Sequence, residues 1–366
     1  FMADKNTELL QEIHEIASKC DRCGNCLLVC PVFTVNSKEA CSARGMVNAA
    51  RALVKGGIAP ETDILEAVDY CLLCGACIDV CASKVKVPEV MLKVRQHLAH
   101  LSNKPYEYTE AEKQKMNQAF ETLCERTAEI DAPEAAGNGK VAYFFGCQAR
   151  LDAIDTAVAT VKLLSRVAEV ELVNNECCGL PALTRGHIEE FIEDIKQNIQ
   201  LFEGYDPIVS DCACCSDTLK KAASYLANDP EWCEKGQAFS KKVLSLSEYL
   251  TKIGYEPQAH AEKVTYHDPC HLGRNQGIKK EPRELLKNAS DYLEMPGADI
   301  CCGGPCFFPC DYPETSDALL DKKSLNIEKS GATVVTTECY NCLKQLKKAA
   351  EKSGGKFRAV HISEII

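Results

Sequence analysis

The apolar residues of the first 130 positions recur at helical spacing. Leu9, Leu10, Ile13 and Ile16 fall on one face of a helix that the pattern predicts over residues 7–19. Further helices are predicted over 42–54, which ends at Gly56 and Gly57, and over 90–101, and a polar helical stretch follows at 109–129. This part of the chain is therefore predicted to be mostly α-helical.

The pattern changes after a stretch rich in Pro, Gly and Ala at 131–139. Short apolar runs now alternate with helical patterns, which is typical of a mostly parallel α/β core. The predicted strands lie within 141–145, 208–210, 264–266 and 332–335. The predicted helices are 152–167, 187–203, 316–329 and 342–352.

The second part of the chain also repeats itself, because five cysteines recur in the same order at nearly one offset. Cys147 and Cys270 are 123 residues apart, whereas Cys212 and Cys339 are 127 apart. We therefore predict an α+β protein, with a helical module followed by two homologous α/β units. The predicted limits are 1–130 for the helical domain, 131–140 for a linker, and 141–258 and 259–366 for the two units.

Composition and charge exclude several classes of protein. The 366 residues are 46% hydrophobic and 26% charged, as in a soluble globular protein. The net charge of −11 argues against nucleic-acid binding, and no apolar run reaches the roughly 20 residues of a membrane span. Residues 1–6 do not resemble a secretory leader, so we expect a cytoplasmic protein with reduced thiols.

Eighteen of the 24 cysteines form four groups with the spacing of metal ligands. The first two groups each have the form Cys-x-x-Cys-x-x-Cys-x-x-x-Cys, which is typical of bacterial ferredoxins. Three close thiolates can hold three corners of a cubane, and the fourth reaches the other cluster. One [4Fe-4S] cluster is thus predicted on Cys20, Cys23, Cys26 and Cys81, and another on Cys71, Cys74, Cys77 and Cys30. Zinc on four thiolates is the alternative, but four evenly spaced thiolates, twice over, favour cubanes.

The other two groups are longer, and each contains a lone Cys, a Cys-Cys-Gly triplet and a Cys-x-x-Cys. Their members are Cys147, Cys177, Cys178, Cys212 and Cys215, then Cys270, Cys301, Cys302, Cys339 and Cys342. With flanking sequences such as Glu-Cys-Cys-Gly-Leu-Pro and His-Asp-Pro-Cys-His, they resemble the cysteine-rich CCG domain of the heterodisulfide reductase family. Structural burial of these thiols is the alternative, but chance burial would not repeat five positions.

The resemblance implies that each set of five cysteines holds a noncubane [4Fe-4S] cluster. The whole layout is similar to the iron-sulfur subunits of glycolate, lactate and anaerobic glycerol-3-phosphate dehydrogenases. Six cysteines lie outside the four groups, and we interpret them as core or surface thiols, with Cys214 and Cys306 the closest to a cluster. They are Cys41, Cys124, Cys214, Cys233, Cys306 and Cys310.

Neither a flavin nor a nicotinamide is expected on this chain, because its single Gly-x-Gly stretch precedes a strand instead of following one. We therefore expect an electron-transfer subunit that serves a flavoprotein acting on a 2-hydroxy acid or a polyol phosphate. A further subunit, either quinone-linked or similar to an electron-transferring flavoprotein or a ferredoxin, would accept the electrons, and any attachment to a membrane would come only through a partner. The alternative is a catalytic subunit that reduces a disulfide, with His267 and His271 as possible proton donors.

Overall fold

The computed structural model describes residues 2–60, 67–102, 106–130 and 139–366. Most of the predicted linker therefore lies outside the described residues. The chain folds into two compact units, and each unit is built from three separate segments of the sequence. The first unit is Phe1–Tyr106, Pro181–Glu190 and Ile300–Lys323, and the second is Glu107–Leu180, Phe191–Asp299 and Ser324–Ile366. The predicted domain limits remain a prediction.

Helices dominate the described residues before 139, as the apolar spacing predicts. These helices are α1 (Met2–Ala17), α2 (Pro31–Asn36), α3 (Ala43–Val54), α4 (Ala76–Asp79), α5 (Val87–Ser102) and α6 (Glu110–Thr127). Short 3-10 turns lie at Asn25–Leu27, Glu39–Cys41 and Ala67–Tyr70. Ser42 is the N-cap of α3 and accepts a hydrogen bond from the Gly45 amide, which explains where that helix begins.

The core of the first unit lies where α1, α3 and α5 pack together. Ile13, Met46 and Val90 are buried there, and the buried Leu73 and Cys77 of a cysteine loop join the same cluster. Apolar burial by three helices thus supports the loops that carry the cysteines. The predicted helical module is confirmed.

Two four-stranded sheets with parallel strand pairs lie in the second unit, and both have the same topology. Their strands are β1 (Lys140–Tyr143), β2 (Glu169–Leu172), β3 (Ile208–Ser210), β4 (Val243–Ser245), β5 (Lys263–Tyr266), β6 (Asp291–Tyr292), β7 (Val334–Thr337) and β8 (Arg358–His361). The first sheet has the order β2-β1-β3-β4 and the second β6-β5-β7-β8. Each repeat therefore contains a separate parallel sheet, and the predicted fold class, a helical module followed by two α/β units, is confirmed.

The connections are mostly helical, as expected between parallel strands. In chain order the helices are α7 (Cys147–Asp152), α8 (Ile154–Ser165), α9 (Leu180–Thr184), α10 (Ile188–Leu201), α11 (Ala213–Lys220), α12 (Ala222–Tyr225), α13 (Cys233–Lys242), α14 (Leu246–Lys252), α15 (Cys270–Gly273), α16 (Lys280–Ala289), α17 (Phe308–Asp311), α18 (Pro313–Ser330) and α19 (Tyr340–Lys352). A 3-10 turn at Ile362–Glu364 follows the last strand.

The sequence pattern predicts β1, β3, β5 and β7 but misses the other four strands. The four that it finds are the central strands of the two sheets, whereas β2, β4, β6 and β8 lie at the edges. Edge strands carry few fully apolar runs, because one side faces no neighbouring strand. The half-buried Glu-Val-Glu-Leu of β2 and the two-residue β6 show why the apolar signal fails there.

Among the described residues, none of the helices is both long enough and apolar enough to cross a membrane.

Gly186 is required by backbone conformation and by space together. Its φ is +89°, and an added Cβ would lie 2.3 Å from the carbonyl oxygen of Arg95. Gly204 has nearly the same φ, +86°, but an added Cβ would meet nothing within 4 Å. Comparing these two positions therefore separates backbone strain from steric overlap.

We predict that Gly186→Ala lowers the thermal unfolding midpoint at least twice as much as Gly204→Ala. Both variants place alanine in the left-handed region, at a cost of about 1–2 kcal/mol, but only Gly186→Ala also forces the Arg95 backbone to move. Circular dichroism melts at one scan rate measure the difference. Equal shifts for the two variants would contradict the packing around Gly186.

Candidate metal centres

The lone cysteine and the Cys-x-x-Cys of each repeat follow the carboxyl ends of the two central strands. Cys147 begins α7 just after β1, and Cys212 is the N-cap of α11 just after β3. Strand β1 is flanked by β2 and β3, so the order of strands reverses between β1 and β3. Crevices at such switch points are the usual binding sites of open parallel sheets. Cys270 and Cys339 hold the equivalent positions after β5 and β7.

The five cysteines predicted as the first long set lie together within the second unit. Their thiols form a continuous series of side-chain hydrogen-bonding contacts, and all five are buried. The order of contact is Cys147, Cys177, Cys178, Cys215 and Cys212. Five sulfurs that are far apart in sequence are thus brought to one buried place.

The five thiols of this series differ in the direction in which their surroundings shift their pKa values. Hydrogen bonds from Cys147 and Cys178 hold the pKa of Cys177 well below its usual range. The Tyr108 hydroxyl also donates to the Cys177 sulfur, at 3.3 Å. At Gly146, an added Cβ would lie 3.0 Å from the sulfur of Cys215, so a larger residue would crowd the thiols. The sulfurs are therefore closely packed, and hydrogen bonds from Cys214 and Cys215 likewise hold the pKa of Cys212 well below its usual range.

A buried carboxyl group precedes the Cys-x-x-Cys of each repeat. Asp211 Oδ2 accepts hydrogen bonds from Tyr143, Thr160 and Tyr340 at 2.6–2.9 Å. Its counterpart Glu338 accepts a bond from the Ser247 amide at 3.2 Å. Burial raises the pKa of both acids, that of Glu338 to about 8. For Glu338 the raised pKa favours the neutral form at neutral pH and so limits the negative charge beside the thiols.

These acids also join the two repeats. Tyr340 belongs to the second repeat, and its hydroxyl reaches Asp211 of the first. Glu338 belongs to the second repeat and accepts a hydrogen bond from the Ser247 amide of the first. The Ala213 amide donates to the Glu338 carbonyl at 2.8 Å. The two Cys-x-x-Cys motifs are therefore held side by side by backbone and side-chain bonds.

The two histidines named as possible proton donors have different surroundings. His271 Nδ1 lies 2.8 Å from Oδ2 of the buried Asp217, which also accepts from Asn275 and Lys221. Burial raises the pKa of Asp217, but His271 and Lys221 outweigh it and leave that pKa lowered. His267 Nδ1 lies 3.1 Å from the Ala298 carbonyl oxygen. Both rings therefore have structural partners, and a catalytic role remains a prediction.

The second long set is divided between the two compact units. Cys270, Cys339 and Cys342 belong to the second unit, whereas Cys301 and Cys302 belong to the first. Cys301, Cys302, Cys339 and Cys342 are buried, and Cys270 is half-buried. Cys339 is the N-cap of α19, a position where the helix dipole favours negative charge.

A cavity in the first unit is lined by Cys20, Cys23, Cys26 and Cys81. These are the four cysteines predicted for the first cubane, and Cys77 also reaches the cavity wall. Burial raises the pKa of Cys26, with a further contribution from the nearby Cys20. Four soft sulfur donors around one cavity suit iron or zinc and not magnesium or calcium.

The other predicted cubane set is also close in space. Burial raises the pKa of Cys77 strongly, and the nearby thiols of Cys71, Cys74 and Cys30 raise it further. Cys30 comes from the first cysteine run and the other three from the second. The donors present in this place thus fit a four-thiolate cluster with crossed ligands.

Arg95 of α5 binds the backbone that leads to Cys71. The guanidinium is buried, and it donates to the carbonyl oxygens of Val68, Asp69 and Cys71 at 2.8–3.2 Å. It also donates to the Thr184 carbonyl at 3.1 Å. The planar guanidinium therefore holds the backbone of this loop in place through several hydrogen bonds at once.

A second cavity of the first unit lies beside Cys71 and is lined also by Cys306, Arg95, Arg185 and Asp311. Arg185 pairs with Asp311 at 2.7 Å, and its guanidinium stacks over a neighbouring phenylalanine ring. Cys306 has a φ of +41°, which is unusual for a residue other than glycine. Cys306 therefore lies beside Cys71 of the second ferredoxin group, and a role for it at a cluster of the second repeat remains a prediction.

The sequence reasoning missed Arg95, Tyr108, Asp211, Asp217 and Glu338. A signal for two of them was present, because an acid directly precedes the Cys-x-x-Cys in both repeats. No sequence pattern marked Arg95 or Tyr108, because their hydrogen-bond partners are at least 24 residues away in sequence.

Two family models match the chain. Residues 16–85 match the 4Fe-4S dicluster domain, and residues 141–220 and 264–347 each match the cysteine-rich domain CCG. Each CCG match begins in the first strand of one sheet and extends past its third strand, which confirms the internal repeat. The dicluster match ends at residue 85 and includes both ferredoxin cysteine runs.

Curated relatives align with most of this chain. The chain is 28% identical to the probable glycolate oxidase iron-sulfur subunit of Bacillus subtilis, with 95% of this chain and 92% of that protein aligned. It is 27% identical to one of the subunits of fumarate reductase (CoM/CoB) from Methanothermobacter marburgensis, over 95% of this chain and 71% of the relative. Lactate utilization protein A of Bacillus subtilis is 27% identical over 62% of this chain and 98% of its own length.

We predict that Arg95→Ala lowers the iron bound by the N-terminal module by about four atoms per chain, one cluster's worth. Removal of the guanidinium leaves buried carbonyl groups unpaired and frees the loop that carries Cys71. Arg95→Lys is expected to lie in between, because lysine keeps the charge but not the planar fork. Iron and acid-labile sulfide analysis after anaerobic reconstitution measures the loss.

Arg126→Ala is the control for this experiment. Arg126 pairs with Asp155 at the surface, away from the ferredoxin cysteines in sequence, and its loss is expected to leave iron binding unchanged. Full iron content in Arg95→Ala would show that Arg95 does not hold the loop.

Proposed function

Because this chain is a CCG-domain iron-sulfur protein with an N-terminal 4Fe-4S dicluster domain, we propose that it is the electron-transfer subunit of a multi-subunit oxidoreductase. Its role is to relay electrons between a partner flavoprotein and an acceptor. Iron-sulfur clusters supply reversible one-electron transfer when they are bound.

The observation that carries this proposal lies within the first unit. Burial raises the pKa of Cys71 to about 11, and the nearby thiol of Cys301 contributes to that rise. Cys71 belongs to the second ferredoxin group, whereas Cys301 belongs to the Cys-Cys-Gly triplet of the second repeat. A ferredoxin thiol and a CCG thiol are thus close enough to interact electrostatically. An electron relay between the two kinds of site requires such proximity.

We assign four [4Fe-4S] clusters to the chain, two cubane and two noncubane. The cubane ligands are Cys20, Cys23, Cys26 and Cys81, then Cys71, Cys74, Cys77 and Cys30. The noncubane ligands are Cys147, Cys177, Cys178, Cys212 and Cys215, then Cys270, Cys301, Cys302, Cys339 and Cys342. The shared cavity of the first set and the contact series of the third set support these assignments.

The protein's own residues position and tune the sulfurs. Arg95 orients the Cys71 loop, and Tyr108 donates a hydrogen bond to the Cys177 sulfur. Hydrogen bonds to a ligand sulfur stabilise its negative charge and so tune the reduction potential of a cluster. Burial of the first long set excludes water from its sulfurs. These features suit one-electron chemistry that must be protected from solvent.

The partner supplies the two-electron chemistry, because no nucleotide-binding loop is present in the sequence. The names of the relatives support a flavoprotein that oxidises a 2-hydroxy acid, since two of them refer to glycolate oxidase and lactate utilization. A polyol phosphate is the other substrate class. We place the complex in the cytoplasm, with attachment to a membrane only through a partner.

A catalytic disulfide reductase is the second candidate. Both long cysteine sets are complete in sequence, which favours it, and one relative is named for a CoM/CoB reaction. In that case His271, held by Asp217, is the group placed to deliver a proton near Cys270.

Anaerobically purified protein is expected to contain about 16 iron atoms and equal acid-labile sulfide per chain, four for each cluster. Metal analysis with a sulfide assay measures both. A value near 8 would restrict the clusters to the ferredoxin module, and zinc without sulfide would overturn the assignment.

A tagged chain purified anaerobically from its native host is expected to co-purify with a flavoprotein, because the chain needs a two-electron partner. Flavin absorbance and mass spectrometry identify that partner. The proposal fails if the chain is isolated alone and reduces a disulfide from an artificial electron donor, since this is the behaviour of the second candidate.

A further inference from the structure

Cys214 lies outside both five-cysteine sets in sequence, but it contacts a member of each. Its sulfur is 3.6 Å from the sulfur of Cys339, a residue of the second repeat. The sulfurs of Cys212, Cys214 and Cys339 all lie within 4.8 Å of one another, and all three residues are buried. Two repeats thus contribute to one group of three sulfurs.

The backbone holds these sulfurs in place. The Ala213 amide donates to the Glu338 carbonyl at 2.8 Å, which ties the segment next to Cys214 to the segment next to Cys339. The Thr218 hydroxyl donates to the Cys214 carbonyl at 2.7 Å and fixes the first turn of α11. Hydrogen bonds between packed segments therefore hold the backbone from which the sulfurs of Cys214 and Cys339 extend.

The spacing and the helix ends suit thiolates on a metal. Two thiolates bound at about 2.3 Å to one tetrahedral ion lie about 3.8 Å apart, close to the observed 3.6 Å. Cys212 and Cys339 are the N-caps of α11 and α19, so two helix dipoles favour negative charge at this place. Buried thiolates need such compensation, and a bound cation supplies the rest.

We propose that Cys214 is an iron ligand that joins the two repeats, and that it binds the same iron as Cys339. The inference rests on the proposed iron-sulfur function and adds one thiolate from the first repeat to the cluster of the second. The position is asymmetric, because the common offset of 127 residues makes Asn341 the counterpart of Cys214. The two long sets are therefore unequal, and only the second gains a sixth thiolate.

The test is anaerobic reconstitution of the full chain, of Cys214→Ala and of Cys214→Ser. Iron, acid-labile sulfide and the low-temperature EPR spectrum of each protein are compared. Both variants are expected to lose at least one iron per chain and to change the EPR signal of one CCG cluster. The ferredoxin signals are expected to remain, which shows that the variants have folded.

Two control variants separate a ligand from a packing residue. Asn341→Ala changes the counterpart position, and Cys233→Ala removes a half-buried thiol from α13. Both are expected to keep the iron content and the EPR spectrum of the parent. A change in Asn341→Ala as large as in Cys214→Ala would mean that packing alone explains the effect, and would overturn the proposal.

Failure of this inference and failure of the proposed function give different results. Parent protein with about 16 iron, together with Cys214→Ala of unchanged iron and EPR spectrum, overturns only the role of Cys214. A Cys214–Cys339 disulfide found by mass spectrometry in the anaerobic parent also overturns it. Parent protein with about 8 iron, all in the ferredoxin module, overturns both the inference and the four-cluster assignment.

Discussion

Parallel pairing of the two central strands in each sheet is the constraint on which the cysteine sites depend. Parallel strands end at the same edge, so the residues after β1 and β3 are brought together, as are those after β5 and β7. Short strands are enough, because the paired segments are buried: β3 and β7 are buried at every position. The lone cysteine and the Cys-x-x-Cys therefore meet although 65 residues separate Cys147 from Cys212.

Burial of the cysteine sulfurs makes their negative charge costly, and the surrounding groups offset that cost. Thiolates in a dry interior are unfavourable unless hydrogen bonds, dipoles or cations compensate their charge. Tyr108 donates to Cys177, and helix N-termini lie at Cys212 and Cys339. Burial raises the pKa of the acids beside these motifs, and that of Glu338, at about 8, favours the neutral form, which adds no further negative charge.

The duplication of the α/β unit is close to symmetric in topology but not in chemistry. Asp211 and Glu338 occupy matching positions. Asp211 accepts hydrogen bonds from three hydroxyl groups, whereas Glu338 accepts one from a backbone amide. A matching position also carries Cys214 in one repeat and Asn341 in the other. Such differences allow two copies of one fold to bind clusters of different character, which is useful for a relay with a direction.

The sequence by itself determined the helical module, the four central strands, the internal repeat and the grouping of the cysteines, because local spacing and apolar periodicity encode these features. It could not show that Arg95 holds the Cys71 loop, that Cys214 lies beside Cys339, or that Asp217 binds His271. Those contacts join residues 24 to 125 positions apart, and only the packing of helices and sheets decides which distant side chains meet. The edge strands were decided in the same way, since their few apolar residues become strands only by pairing with a buried neighbour.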